Sequence, residues 1–222
     1  MLSAVVSESS ASGLIPDGPA WSPEEGALLV VAPHPDDEIL GAGGLIRTWA
    51  MRGAEVSVLS VSDGEGAEPT RHGLGTIRRE ELTEALRKLC PTHVSVTRLG
   101  LPDGRIAHHV NRLRNAILSL ARGKLTLIAP YELDRHPDHA AVGSVCLEFA
   151  RSQQLPLARY SIWARQAAEH LREARWGKFL LDDEALRAKT RALGCFRTQL
   201  EGSRLKGCDT GSLVRPYEAF ML

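Results

Sequence analysis

The chain has 222 residues, 43% of them hydrophobic, with 27 basic and 27 acidic side chains. That length suffices for one domain with a sizeable core, and the balanced charge excludes the strongly basic field expected of a nucleic-acid or anionic-membrane binder. An aromatic content of only 5% also argues against a site built from stacked rings.

Residues 1–25, rich in Ser, Gly, Pro and Glu, read as a flexible arm with a short ordered piece near Trp21, followed by a single domain over 26–222. The N-terminus has neither the basic start nor the apolar stretch of a secretory signal, and no run approaches the ~18 apolar residues of a membrane span. The expectation is a cytoplasmic protein. Cys90, Cys146, Cys195 and Cys208 are scattered without a CxxC pair and read as reduced thiols.

The run 27–32 is continuously apolar and is cut by Pro33, as in a strand buried on both faces of a parallel sheet. Residues 39–51 carry apolar side chains near helical spacing and stop before Gly53, a left-handed helix end. A second strand over 55–61 completes a β-loop-α-β unit with a right-handed crossover. After a loop over 62–75 containing four glycines come a helix over 76–89, a strand over 93–99, a turn at 101–104 and a helix over 110–121. A strand over 125–129 ends before Pro130, and a helix runs from 138 to 151. The tail offers a strand over 160–164, an arginine-rich stretch over 159–178 and a charged helical stretch over 182–200. The arginine-rich stretch reads as a solvated surface, or as the wall of a pocket for an acidic substrate. This alternation predicts an α/β fold, a Rossmann-like three-layer sandwich with a mainly parallel sheet.

In such sheets ligands lie beyond the carboxyl ends of the strands. Two polar clusters stand there: His34-Pro35-Asp36-Asp37-Glu38 and His136-Pro137-Asp138-His139. Either alone is readable as a capped helix start; two of them at strand ends of one sheet point to a shared mononuclear metal site. His34 and Asp37 can coordinate together if the loop turns into a helix, and His139 can supply a distant third ligand, leaving one position open as catalytic zinc requires. Asp36 is placed to act as general base for a metal-activated water. His136 can stabilise an oxyanion or protonate a leaving amine, with Asp138 orienting it. Glu38 reads as an acid favoured by the helix dipole. The remaining histidines, His72, His93, His108, His109 and His170, read as loop, surface or packing residues.

The sequence resembles the N-acetylglucosaminyl deacetylase superfamily of PIG-L and LmbE type. The resemblance is carried by residues 30–38 and 136–139, and continues through Gly41, Gly43-Gly44, 62–65, 77–80 and 99–104, and weakly through 189–199. It implies one zinc ion per chain on His34, Asp37 and His139, Asp36 as general base and His136 as stabiliser or acid. It also implies an arginine at about Arg78, with Arg79 the alternative register, and Asp103 facing the substrate. Mixed nitrogen and oxygen ligands admit iron(II) or another divalent ion as well as zinc. The expected reaction is hydrolysis of an N-acyl group, N-acetyl above all, on a small-molecule amino sugar. An amidase for a larger N-acyl or thiol-conjugate substrate would use the same chemistry. A noncatalytic metal-containing module is the alternative of another class. A nucleotide-binding oxidoreductase lacks its mark, since His-Pro-Asp-Asp-Glu stands where GxGxxG would.

Overall fold

The computed structural model describes residues 18–68, 70–92, 94–162, 175–201 and 213–222. The first 17 residues of the predicted arm, His93, His170, Cys208 and residues 163–164 of a predicted strand lie outside the described residues.

The apolar run forms β1 (Ala27–Ala32), whose last five residues are buried. Val30 packs with Leu45 and Leu82 on one face of the sheet, while Val31 packs with Ile117 and Val142 on the other. Burial on both faces is why this strand reads as an unbroken apolar segment. Three further strands follow: β2 (Val56–Ser62) and β4 (Leu125–Pro130), largely buried like β1, and β3 (Ser95–Leu101), a more exposed strand at the sheet edge. Between them lie α1 (Asp37–Met51), α2 (Leu74–Leu89) and α3 (Val110–Leu120), and α4 (Pro137–Gln153) leads to β5 (Leu157–Tyr160). Gly53 has φ 81, the left-handed conformation expected after α1. The strand predicted at 160–164 shares only Tyr160 with β5, and residues 161–162 lie outside any strand.

The charged stretch divides into α5 (Asp183–Leu193) and a short α6 (Arg197–Glu201). Two strands have no counterpart in the sequence reading: β6 (Trp176–Leu180), which starts at the end of the arginine-rich stretch, and β7 (Tyr217–Met221). The sheet order is β3-β2-β1-β4-β5-β7-β6. The first five strands are parallel, and β7 runs antiparallel to both β5 and β6. The ordered piece expected near Trp21 is present: its N–H donates to Lys178 O at 2.8 Å, and its ring lies 5.2 Å from that of Phe220.

Two features fix α1. Its backbone breaks at Ala42 (φ −144, ψ 17), so a second set of helix-start N–H groups appears mid-helix. Glu218 of β7 accepts from two of them, Gly44 N at 2.7 Å and Leu45 N at 2.9 Å, and buried Lys189 of α5 donates to the same carboxylate at 2.5 Å. On the opposite side, Gly41 lets the Tyr160 ring approach; a Cβ there would sit 2.5 Å from it. The Tyr160 hydroxyl donates to Val31 O at 2.9 Å, tying β5 across to β1.

After β1 the chain turns toward β2, and after β4 it turns toward β5. The crevice between β1 and β4 is the topological switch point, where the loops at the strand ends diverge.

Candidate metal centre and active site

Both polar clusters open onto this crevice. The loop after β1 is held by Pro33 O, which accepts from Ser62 N at 3.0 Å and Ser62 Oγ at 2.8 Å. Asp36 caps α1 with φ 126 and ψ −31, a conformation costly to an L-residue by about 1–3 kcal/mol and characteristic of functional sites. After β4, His136 caps α4 and Pro137 takes the first helical position, where its missing N–H is harmless.

Together these loops bring three side chains into one buried group. His34 Nδ1 and His139 Nε2 each lie 3.2 Å from the same oxygen, Asp37 Oδ2. One ligand atom from each of the three residues falls within 4.8 Å of the others. His139 is fully buried, yet neither of its ring nitrogens makes a hydrogen bond. A buried imidazole with two unsatisfied nitrogens is costly in isolation. Convergence of such a nitrogen, a second imidazole and a carboxylate suits a divalent cation with mixed nitrogen and oxygen ligands. The residues therefore fit the zinc site that the sequence implies.

The surrounding carboxylates make the pocket strongly acidic. Burial would lower the His34 pKa, but contacts with Asp103, Asp138 and Asp37 outweigh it and raise it well above the usual histidine value. His139, opposed likewise by burial, is raised to about 9 by Asp37 and Asp134. Burial would raise the Asp37 pKa, yet the two imidazoles hold it well below the usual carboxylate range. Glu38 differs: burial and the neighbouring Asp36 and Asp37 charges push its pKa up, and one carboxylate oxygen has no hydrogen-bond partner.

His136 joins the group, its ring centroid 4.9 Å from that of His34 and 5.0 Å from that of His139. Asp138 meets it through its backbone. Residues two apart near a helix start do not face each other, and the link is the Asp138 N–H, donating to His136 Nδ1 at 3.3 Å. The Asp138 carboxylate instead accepts from Gly104 N at 2.7 Å and Ile106 N at 3.1 Å, with Oδ2 3.3 Å from His34 Nε2. Asp103 also reaches the site, with Oδ1 3.0 Å from His34 Nε2.

Arg78 lies beneath the loop, 1% exposed. It occupies the inward stripe of α2 with Leu74, Leu82, Ala85 and Leu89. Its guanidinium donates to Gly64 O at 2.8 Å and Pro35 O at 2.9 Å, and lies 3.6 Å from Asp36 Oδ2. Arg79 points outward and pairs with Asp63 at 2.8 Å. Sequence reasoning missed Gln199, whose side-chain amide, oriented with its oxygen toward the guanidinium as the surrounding donors require, accepts from Arg78 Nη2 at 2.8 Å and Nε at 2.9 Å. It also missed Asp134, 3.7 Å from His139 Nδ1. Asp134 stands in the acidic segment just before the second motif, which was the available signal; for Gln199 the signal was the weak resemblance over 189–199, which ends on that residue.

The sequence profile of PIG-L, described as GlcNAc-PI de-N-acetylase, matches residues 29–150, more than half of the chain. The chain belongs to the PIG-L family. The match contains both polar clusters, Arg78 and Asp103, and stops before Lys189, Gln199 and Glu218. A 1D-myo-inositol 2-acetamido-2-deoxy-alpha-D-glucopyranoside deacetylase of Rhodococcus opacus (strain B4) is 41% identical over 76 residues, 29% of this chain and 26% of that protein. The diacetylchitobiose deacetylase of Thermococcus kodakarensis is 27% identical over 137 residues, 58% of this chain and 51% of that protein. This PIG-L chain thus spans about half, or less, of the curated relatives it matches. Among solved structures, the conserved protein TT1542 of Thermus thermophilus superposes with a TM-score of 0.67 at 26% identity, over 88% of this chain and 93% of that one. No described helix is long and apolar enough to cross a membrane.

Proposed function

We propose that this PIG-L chain is a metal-dependent N-deacetylase that removes acetyl from the nitrogen of an amino sugar, with zinc on His34, Asp37 and His139. The observation that carries the reading is the convergence of His34 Nδ1 and His139 Nε2 on Asp37 Oδ2, each at 3.2 Å, beside the strained Asp36. The named activities of the curated relatives, deacetylases of an inositol-linked acetamido sugar and of diacetylchitobiose, support the substrate class.

When bound, a divalent cation supplies Lewis acidity that polarises an acyl carbonyl and acidifies water. Asp36 accepts the proton of the attacking water on a carboxylate oxygen. Arg78, gripping Pro35 O and Gly64 O at once, ties the backbone just before Asp36 to the loop after β2. Because His136 Nδ1 accepts from the Asp138 N–H, the neutral ring carries its proton on Nε2. That N–H can meet negative charge developing on the carbonyl oxygen, and the proton taken up by Asp36 passes to the departing nitrogen. The carbon–nitrogen bond breaks, water oxygen remains on the acyl carbon as acetate, and the sugar leaves as a free amine.

The test is acetate release from N-acetylglucosamine and N,N′-diacetylchitobiose, with and without a chelator. Release that stops on chelation and returns with zinc is the expected result. Release indifferent to chelation, or none from any N-acyl sugar by zinc-loaded protein, would overturn the proposal.

A further inference from the structure

Two carboxylates crowd the side of His34 that faces away from Asp37. Asp103 Oδ1 lies 3.0 Å from His34 Nε2, and Asp138 Oδ2 lies 3.3 Å from the same atom. Both carboxylates are anchored by backbone amides. Asp103 Oδ2 accepts from Gly66 N at 3.0 Å, and Asp138 accepts from Gly104 N and Ile106 N at 2.7 and 3.1 Å. The Asp103 N–H in turn donates to Glu65 at 2.9 Å. The loops that follow β1, β2, β3 and β4 are thereby knitted around one imidazole, whose side chain is 3% exposed.

An ionised carboxylate oxygen accepts hydrogen bonds and donates none. A ring nitrogen between two such oxygens must therefore carry hydrogen. A neutral imidazole has one N–H, so the lone pair is left on Nδ1, the atom 3.2 Å from Asp37 Oδ2. A ligating imidazole nitrogen has to present that lone pair, and the hydrogen bond on the other nitrogen decides which one does so.

We infer that Asp103 and Asp138 are paired positioning residues for His34, holding its Nε2–H so that Nδ1 is presented to the cation. The inference rests on the metal site proposed above and gives Asp103 a place behind a ligand instead of against the substrate. Both Asp103 oxygens are already engaged, and its side chain is 11% exposed. Asp138 does two things at once: it accepts from His34 and fixes the 104–106 backbone, which keeps Asp103 aimed at the ring.

The decisive measurement is zinc affinity by competition with a chelating indicator, on the intact chain and on Asp103→Ala and Asp138→Ala. Loss of a histidine's outer partner weakens metal binding about 10–100-fold, and that weakening is expected for Asp103→Ala with the melting temperature of the metal-free chain little changed. Asp138→Ala is expected to bind at least as weakly, and to unfold more easily because two backbone amides lose their acceptor. Nitrogen-15 NMR of the zinc-loaded chain supplies a readout that general loosening would not mimic: His34 protonated on Nε2 and coordinated through Nδ1, with that preference lost in Asp103→Ala. An Asp103→Ala chain with unaltered zinc affinity and an unaltered His34 tautomer would overturn the inference while leaving the metal site standing. An intact chain that takes up no zinc would remove the metal site and this inference together.

Discussion

The five parallel strands and the antiparallel edge use buried polar groups in opposite ways. Between β1 and β4, titratable side chains converge on one another: two histidines share one oxygen of Asp37, and the ring nitrogens of His139 face Asp37 and Asp134 without a well-formed hydrogen bond. At the β7–β6 edge, charges are consumed locally. Glu218 takes two backbone amides and Lys189, and among the helices beside the sheet Glu81 of α2 takes the N–H and hydroxyl of Thr198 of α6. The difference separates chemistry from bracing. The first region leaves ligating capacity open, whereas the second spends its charges on fixing α1, which carries Asp37, and α6, which carries Gln199.

The comparison breaks most visibly if a ligand is removed. His139→Ala is expected to reduce bound zinc to near zero, measured by elemental analysis after desalting, and to abolish chelator-sensitive acetate release. Full zinc content would mean that the third ligand lies elsewhere. Next in size is Asp36→Asn, which should keep its zinc and lose about 10²–10⁴-fold in kcat, the usual contribution of a general base. An unchanged kcat would remove Asp36 from the reaction.

On the bracing side, Glu218→Ala strands Lys189 as a buried charge and frees two helix amides. Breaking a buried pair from one side costs about 3–5 kcal/mol, read as a lowered urea midpoint, and the zinc stoichiometry of the folded fraction should stay at one. Gln199→Leu should have the smallest effect. It removes one acceptor from the buried Arg78 guanidinium, worth about 1–3 kcal/mol, and should lower kcat with little change in KM. A large rise in KM instead would mean that Arg78 meets the substrate directly.

The same division explains what the sequence disclosed. β1 and β4 were legible because burial on both faces requires near-continuous apolar runs, and the site clusters because they follow those two runs. β6 and β7 were not: each has five residues, and each pairs with a partner about 40 positions away, so neither is announced by a nearby turn. The contacts of Glu218 and Gln199 were equally hidden. The acceptor role of Glu218 exists only because α1 breaks at Ala42, and that of Gln199 only because Arg78 turns inward. Motif position suggested that Arg78 and Asp103 belong to the site. The direction of each side chain was set by the helix stripe in one case and by the Gly66 and Glu65 contacts in the other.

The most direct test of the metal site is a crystal structure of the zinc-soaked protein with anomalous data across the zinc edge. A single peak is expected between His34 Nδ1, the Asp37 carboxylate and His139 Nε2. No peak there, or a peak held by His34, His136 and Asp138, the other group whose ligand atoms lie within 4.8 Å of one another, would contradict it.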